Sequence, residues 1–115
     1  MTVAAAHASA FYRDVAVTGI IWTIRDAGGF PTSNGAMPFW SSQSRTEKII
    51  STVPAYADFS PVEIPVEDFL ESWIPGLERD KLMVGINWSG ARAMGYEVEP
   101  RTVATAIAVA RGADV

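Results

Sequence analysis

Residues Ile64 to Trp88 read IPVEDFLESWIPGLERDKLMVGINW, and this stretch decides the fold class. Val66, Phe69, Leu70, Trp73, Ile74 and Leu77 recur at the three- and four-residue spacing of one helical stripe. Glu67, Asp68 and Glu71 take the opposite face. Pro65 suits a first helical turn, and Glu67 and Asp68 then lie near the positive end of the helix dipole. Pro75 disfavours helical geometry at Ile74 and Gly76 offers an exit, so the helix is expected to stop there. Leu82 to Trp88 is apolar on both faces until Asn87, the pattern of a central strand.

Working outward, the Ala-rich Thr2–Val15 segment predicts a helix and Val17–Arg25, β-branched and aromatic, a strand. Asp26-Ala27-Gly28-Gly29 is a turn, with Phe30–Ser33 as a short return strand. Asn34-Gly35 predicts a two-residue turn, because both positions tolerate positive φ. A strand follows at Ala36–Trp40, where Pro38 points to a sheet edge. Ser44-x-x-Glu47 has capping-box spacing for a helix to about Thr52, with Ser41 or Ser42 as earlier candidate caps. Val62–Ile64 reads as a brief strand and Gly95–Glu99 as a late one. Pro100 opens a last helix over Arg101–Arg111, with Val103, Ala106, Ile107 and Ala110 on one face. Hairpin-connected strands mixed with helices predict one α+β domain over residues 1–115. Its expected form is a mainly antiparallel sheet of about four to six strands, with three to four helices mostly on one face.

Composition narrows the function classes. The chain has no cysteine, which removes disulfides, thiolate metal sites and Cys nucleophiles. The N-terminal Ala run lacks a basic flank and is broken by Arg13 and Asp14, unlike a signal peptide, and no segment has the roughly 18 apolar residues of a membrane span. A cytoplasmic protein without membrane attachment is expected. The net charge of −4 is uneven: Asp58 to Asp80 holds seven acids and Arg79 alone as a base. Arg45 and Lys48 lie close together, but no basic cluster with aromatics stands out, so nucleic acid is not an expected partner.

Few residues carry chemistry. His7 is the only histidine, and no Gly-x-Ser-x-Gly elbow accompanies it; it reads as a partly exposed helical side chain. Glu97 and Glu99 share a strand face and read as a solvated strand end. Gly28-Gly29 is a turn rather than a phosphate loop, and Asn87-Trp88-Ser89 matches the glycosylation triplet by accident. No catalytic residue, metal or cofactor is assigned. Trp22 and Trp73 read as core. Trp40 and Trp88, at strand ends beside polar groups, read as core or as the wall of a small cleft. Asn87 is the polar residue in the strongest strand: a recognition group, or a side chain bonded to a loop backbone.

These landmarks resemble a bacterial family known as domain of unknown function 2750. The resemblance rests on Ile20-Ile21-Trp22, on Pro38-Phe39-Trp40-Ser41, and above all on the family's Ile-Pro-x-x-x-Phe-Leu-x-x-Trp-x-Pro-Gly-Leu run at Ile64 to Leu77. Met83 to Trp88 and the late Pro-led helix complete it, from about Ala10 onward. It implies a small single domain and brings no catalytic residue or activity with it.

Two functional expectations follow. The first is a non-catalytic interaction module whose acidic face, Glu67, Asp68 and Glu71, meets a basic protein partner, in a regulatory or toxin-neutralising role. The second is a small-molecule-binding domain or weak enzyme with a cleft near Trp40, Asn87 and Trp88. A structural subunit self-associating through the Ala36–Trp40 edge is a third.

Overall fold

The computed structural model describes residues 2–112. Helix α1 (Val3–Thr18) begins at Thr2, whose hydroxyl accepts the Ala5 N–H at 3.0 Å, and ends at Gly19 in the left-handed region, φ 71°. That glycine lets β1 (Ile20–Arg25) leave at once, so Val17 and Thr18 belong to the helix rather than the strand. Chain order continues with β2 (Ala36–Phe39), α2 (Gln43–Thr52), a 3-10 turn (Pro54–Tyr56) and β3 (Ser60–Pro65). Next come α3 (Val66–Asp68), a π-helical turn (Phe69–Trp73) and α4 (Ile74–Arg79), then β4 (Met83–Ser89), β5 (Met94–Val98) and α5 (Pro100–Ala110).

The α+β class is as expected, and the expected antiparallel sheet is met in part: two of the three strand pairings are antiparallel and one is parallel, in two sheets rather than one. Strands β1 and β3 form an antiparallel pair, and β2-β4-β5 a three-stranded sheet in which β2 runs parallel to β4. The two sheets meet at one bridge, where Trp22 and Trp40 exchange backbone hydrogen bonds at 2.8 and 2.7 Å. Pro38 explains why the seam is so short. It lies two residues before Trp40, so its backbone faces the same side, yet it has no N–H to give β1. Its carbonyl instead accepts the Thr23 hydroxyl at 2.9 Å. The expected edge exists locally, at this seam.

Two further expectations are corrected. Phe30–Ser33 forms no return strand; the Asn34-Gly35 turn closes only the Ser33–Ala36 bridge, and β1 pairs with distant β3. The helix also does not stop at Pro75. Inside a regular helix the proline would lose a hydrogen bond and its ring would press on the Glu71 carbonyl. The π turn relieves this just before the proline, with Ile74 N–H reaching back five residues to Phe69 O. The chain stays helical to Arg79 and turns out at Lys81, φ 59°. The stripe survives: Val66, Phe69, Ile74 and Leu77 are buried, with Leu70 and Trp73 half-buried against them.

Helices cover both faces. On one, α1, the α3–α4 helix and α5 enclose Phe11, Ile21, Phe39, Phe69, Val84, Ile86, Val103 and Ile107. Phe39 meets Phe69 edge-to-face at 5.0 Å, and Trp73 stacks edge-on against Phe30 and Phe39. The other face has only α2 and the 3-10 turn, which bury Ile24, Ala36, Trp40, Ile49, Val53, Tyr56 and Trp88. "Mostly on one face" therefore describes three of the four helical units.

Candidate functional site

The second face carries the site. Ser42 caps α2, its hydroxyl accepting the Arg45 N–H at 3.3 Å. The cap lies two residues before the Ser44 that the capping-box spacing suggested. From there Arg45, Lys48, Ile49 and Thr52 follow three- and four-residue spacing, which sets them along one side of the helix. Ile49 and Thr46 are buried toward the sheet, Arg45 is half-buried, and Lys48 and Thr52 are exposed.

Opposite α2 lies Trp88, held in a slot cut by two glycines. A Cβ on Gly85 would stand 2.4 Å from the Trp88 ring and one on Gly95 2.7 Å from it, so no larger residue fits without moving the indole. The Trp88 Nε1–H donates to Tyr96 O at 3.1 Å. Trp40, fully buried behind it, donates its Nε1–H to Trp88 O at 2.8 Å. Both polar handles are thus used inside the protein, and the indoles present only apolar surface.

Asn87 positions this corner. It sits at an irregularity in the β4–β5 pairing with φ 46°, a left-handed conformation that asparagine tolerates. Its Oδ1 accepts Ser41 N–H at 2.9 Å, and its Nδ2 donates to His7 O at 3.0 Å and Ser41 Oγ at 3.1 Å. Ser41 Oγ donates to Asp14 Oδ2 at 2.8 Å. Every donor of the amide is used. Asn87 is buried and braces α1 and the β2–α2 connection beneath the cleft without lining it.

A cavity of about 260 Å³ opens between α2, the end of β4 and the first helix. Trp88 and Ile49 form its floor with Trp40 behind, and Arg45, Lys48 and His7 stand around it. Of the three residues expected at a cleft, Trp88 and Trp40 line it and Asn87 braces it from beneath. Among the described residues no carboxylate lines the cavity, and neither Arg45 nor Lys48 has an ion-pair partner. His7 Nδ1 lies 3.3 Å from Ser89 Oγ. Among the described residues no carboxylate bonds the other ring nitrogen, so the orienting member of a catalytic triad is missing from this pair. No group of three metal-ligating side chains occurs among the described residues.

The acidic face is differently organised. Glu67 pairs with Arg111 at 2.9 Å, and Glu78 with Arg101 at 2.7 Å, so two acids of the α3–α4 helix are tied to α5 or the residue just after it. The hydrogen bond and charge of Glu78 hold the Arg101 guanidinium above its ordinary pKa. Asp68 and Glu71 remain exposed with no ion pair among the described residues. Glu97 is exposed on β5 and Glu99 is the residue before α5, where its side chain makes no capping bond.

Sequence reasoning missed the meeting of Arg45 and Lys48 with Trp88. The two bases looked isolated because the indole is forty residues away. Their helical spacing with Ile49 and Thr52 was the available signal, marking a half-polar stripe beside an apolar anchor.

No helix among the described residues is long and apolar enough to cross a membrane. No curated protein and no solved structure matches the chain. The family described as "Protein of unknown function (DUF2750)" matches residues 8–107, which includes every cleft residue named above except His7. The chain belongs to that family.

Proposed function

We propose that this protein is a small-molecule-binding domain, with its ligand seated in the cleft between α2 and Trp88. The observation that carries the reading is the cavity itself. It is concave, has an apolar floor, and is ringed by side chains whose charges are not used elsewhere among the described residues, the usual composition of a ligand site. The glycine slot supports it, since Gly85 and Gly95 keep the Trp88 indole in one position and the floor is preformed. Binding without turnover is the simpler form, because among the described residues no carboxylate orients His7 against Ser89. The test is a panel of single-ring metabolites added to 15N-labelled protein, following the indole N–H signals of Trp88 and Trp40. Shifts that disappear in Thr52→Phe, which narrows the mouth, support the cleft. A panel that moves neither signal defeats it.

A second reading keeps a basic protein partner for the acidic helix face, favoured by the exposure of Asp68 and Glu71 without ion pairs. Glu67 contributes less, being shared with Arg111. Charge reversal at Glu67, Asp68 and Glu71 that leaves binding to a purified basic partner unchanged removes it.

A further inference from the structure

Resting on the cleft reading, we infer that the ligand is a small anion: one flat apolar ring carrying a single carboxylate or phosphate, with Arg45 as its charge partner. Five features converge on this chemistry. The chain as a whole is acidic, net −4, yet the cavity is lined by Arg45 and Lys48 with no carboxylate among its lining residues. Two like charges side by side over an apolar floor raise each other's electrostatic energy, and a bound anion relieves it. Their neighbourhood does not relieve it already. Among the described residues neither has an ion-pair partner, and the one cation–ring stack is Arg25 over Phe30.

Arg45 is the better partner of the two. It is half-buried while Lys48 is exposed, and its planar fork matches two oxygens of a carboxylate or phosphate. The floor defines the rest of the ligand. The Trp88 N–H is bonded to Tyr96 O and Ile49 is aliphatic, so the floor makes apolar contact and offers no hydrogen bond. A flat hydrocarbon ring suits that part of the lining, while the polar side chains of the cavity are Arg45, Lys48, His7, Thr52 and Ser89. Size sets the limit: about 260 Å³ lies just under the range of about 300–1,000 Å³ usual for drug-sized ligands, which leaves space for one ring and its head group.

The experiment compares phenylacetate, phenyl phosphate and the neutral phenylacetamide, titrated into 15N-labelled protein and read at the Trp88 and Trp40 indole N–H signals. At least one anion should bind ten times or more tighter than the amide, and raising the salt concentration should weaken the anion only. Whichever anion is preferred identifies the head group as carboxylate or phosphate. In Arg45→Gln the anion should fall to the affinity of the amide, while the amide is unchanged. Lys48→Gln, at an exposed site, should give a smaller loss in the same direction and stands in if Arg45→Gln does not fold. Equal binding of acid and amide, or anion binding indifferent to both substitutions, overturns the charge assignment and leaves the cleft reading standing. No shift with any of the three compounds overturns both.

Discussion

The two faces of the sheet are closed in different ways. Three helices interdigitate over the first, and its buried set is aliphatic and phenyl: Phe11, Phe39, Phe69, Val84, Ile86, Ile107. One ten-residue helix and a 3-10 turn cover the second, whose bulk comes from Trp40, Trp88 and Tyr56. Indoles fill space coarsely, and a single helix cannot reach all the way around them. A face closed by three helices and a face closed by one therefore share one layer of strands, with the cleft on the second. The comparison teaches that one layer of strands can be closed heavily on one side and lightly on the other.

Substitutions should separate the two sides. The largest effect belongs to the first face. Phe69→Ala removes a fully buried ring that meets Phe39 at 5.0 Å and should cost about 3–5 kcal/mol in urea unfolding. A loss under about 1 kcal/mol would mean that this face is not the packed one. On the second face, Asn87→Ala removes three side-chain bonds and leaves Ser41 N–H buried without its acceptor, for a loss of about 1–3 kcal/mol. Gly85→Ala drives a methyl into the Trp88 ring and should cost about 1–3 kcal/mol while changing the tryptophan emission. Unaltered emission would show that the slot is not tight. Arg45→Gln should leave stability within about 0.5 kcal/mol, since the side chain has no ion-pair partner among the described residues to lose.

The subtlest comparison is by pH, because each face buries part of one tyrosine. Burial raises the phenol pKa of Tyr12 on the first face and of Tyr56 on the second above the ordinary 10.0. The unfolded chain ionises near 10.0 and the folded protein only at higher pH. Stability is therefore full below that pH and falls as pH rises toward the folded values. Tyr12→Phe and Tyr56→Phe should each flatten the decline in urea midpoint as pH rises past 10.0. An unchanged slope in both would show that neither phenol is desolvated.

What was legible in the sequence follows the range of the interactions concerned. The stripe from Val66 to Leu77 could be read because helical period is local, and the β4 strand because a continuous apolar run is local too. The π turn escaped because Pro75 reads as an ending, and only the packing of Ile74 and Leu77 on both sides of it makes continuation worthwhile. The pairing of β1 with β3 escaped because Asp26 to Gly29 is a plausible hairpin turn, whereas the partner lies some forty residues on. The acidic helix face was read correctly as exposed, but not the crossing of Glu67 to Arg111. The cleft was half-legible. Trp40 and Trp88 were singled out from their polar neighbours, while the cations that give the cavity its sign came from a helix whose orientation no local pattern fixes.

The bonds of Asn87 also bear on how the chain assembles during synthesis. Its amide closes on His7, eighty positions upstream, and the Trp88 carbonyl on the Trp40 indole across forty-eight. The parallel partner of β2 likewise emerges only with β4. A nascent chain leaving the ribosome therefore holds β2 and the Trp40 ring without their final contacts until β4 has been made. Such long-range closure slows folding and prolongs the exposure of apolar surface. The corner that shapes the cleft is for this reason unable to form before β4 has emerged.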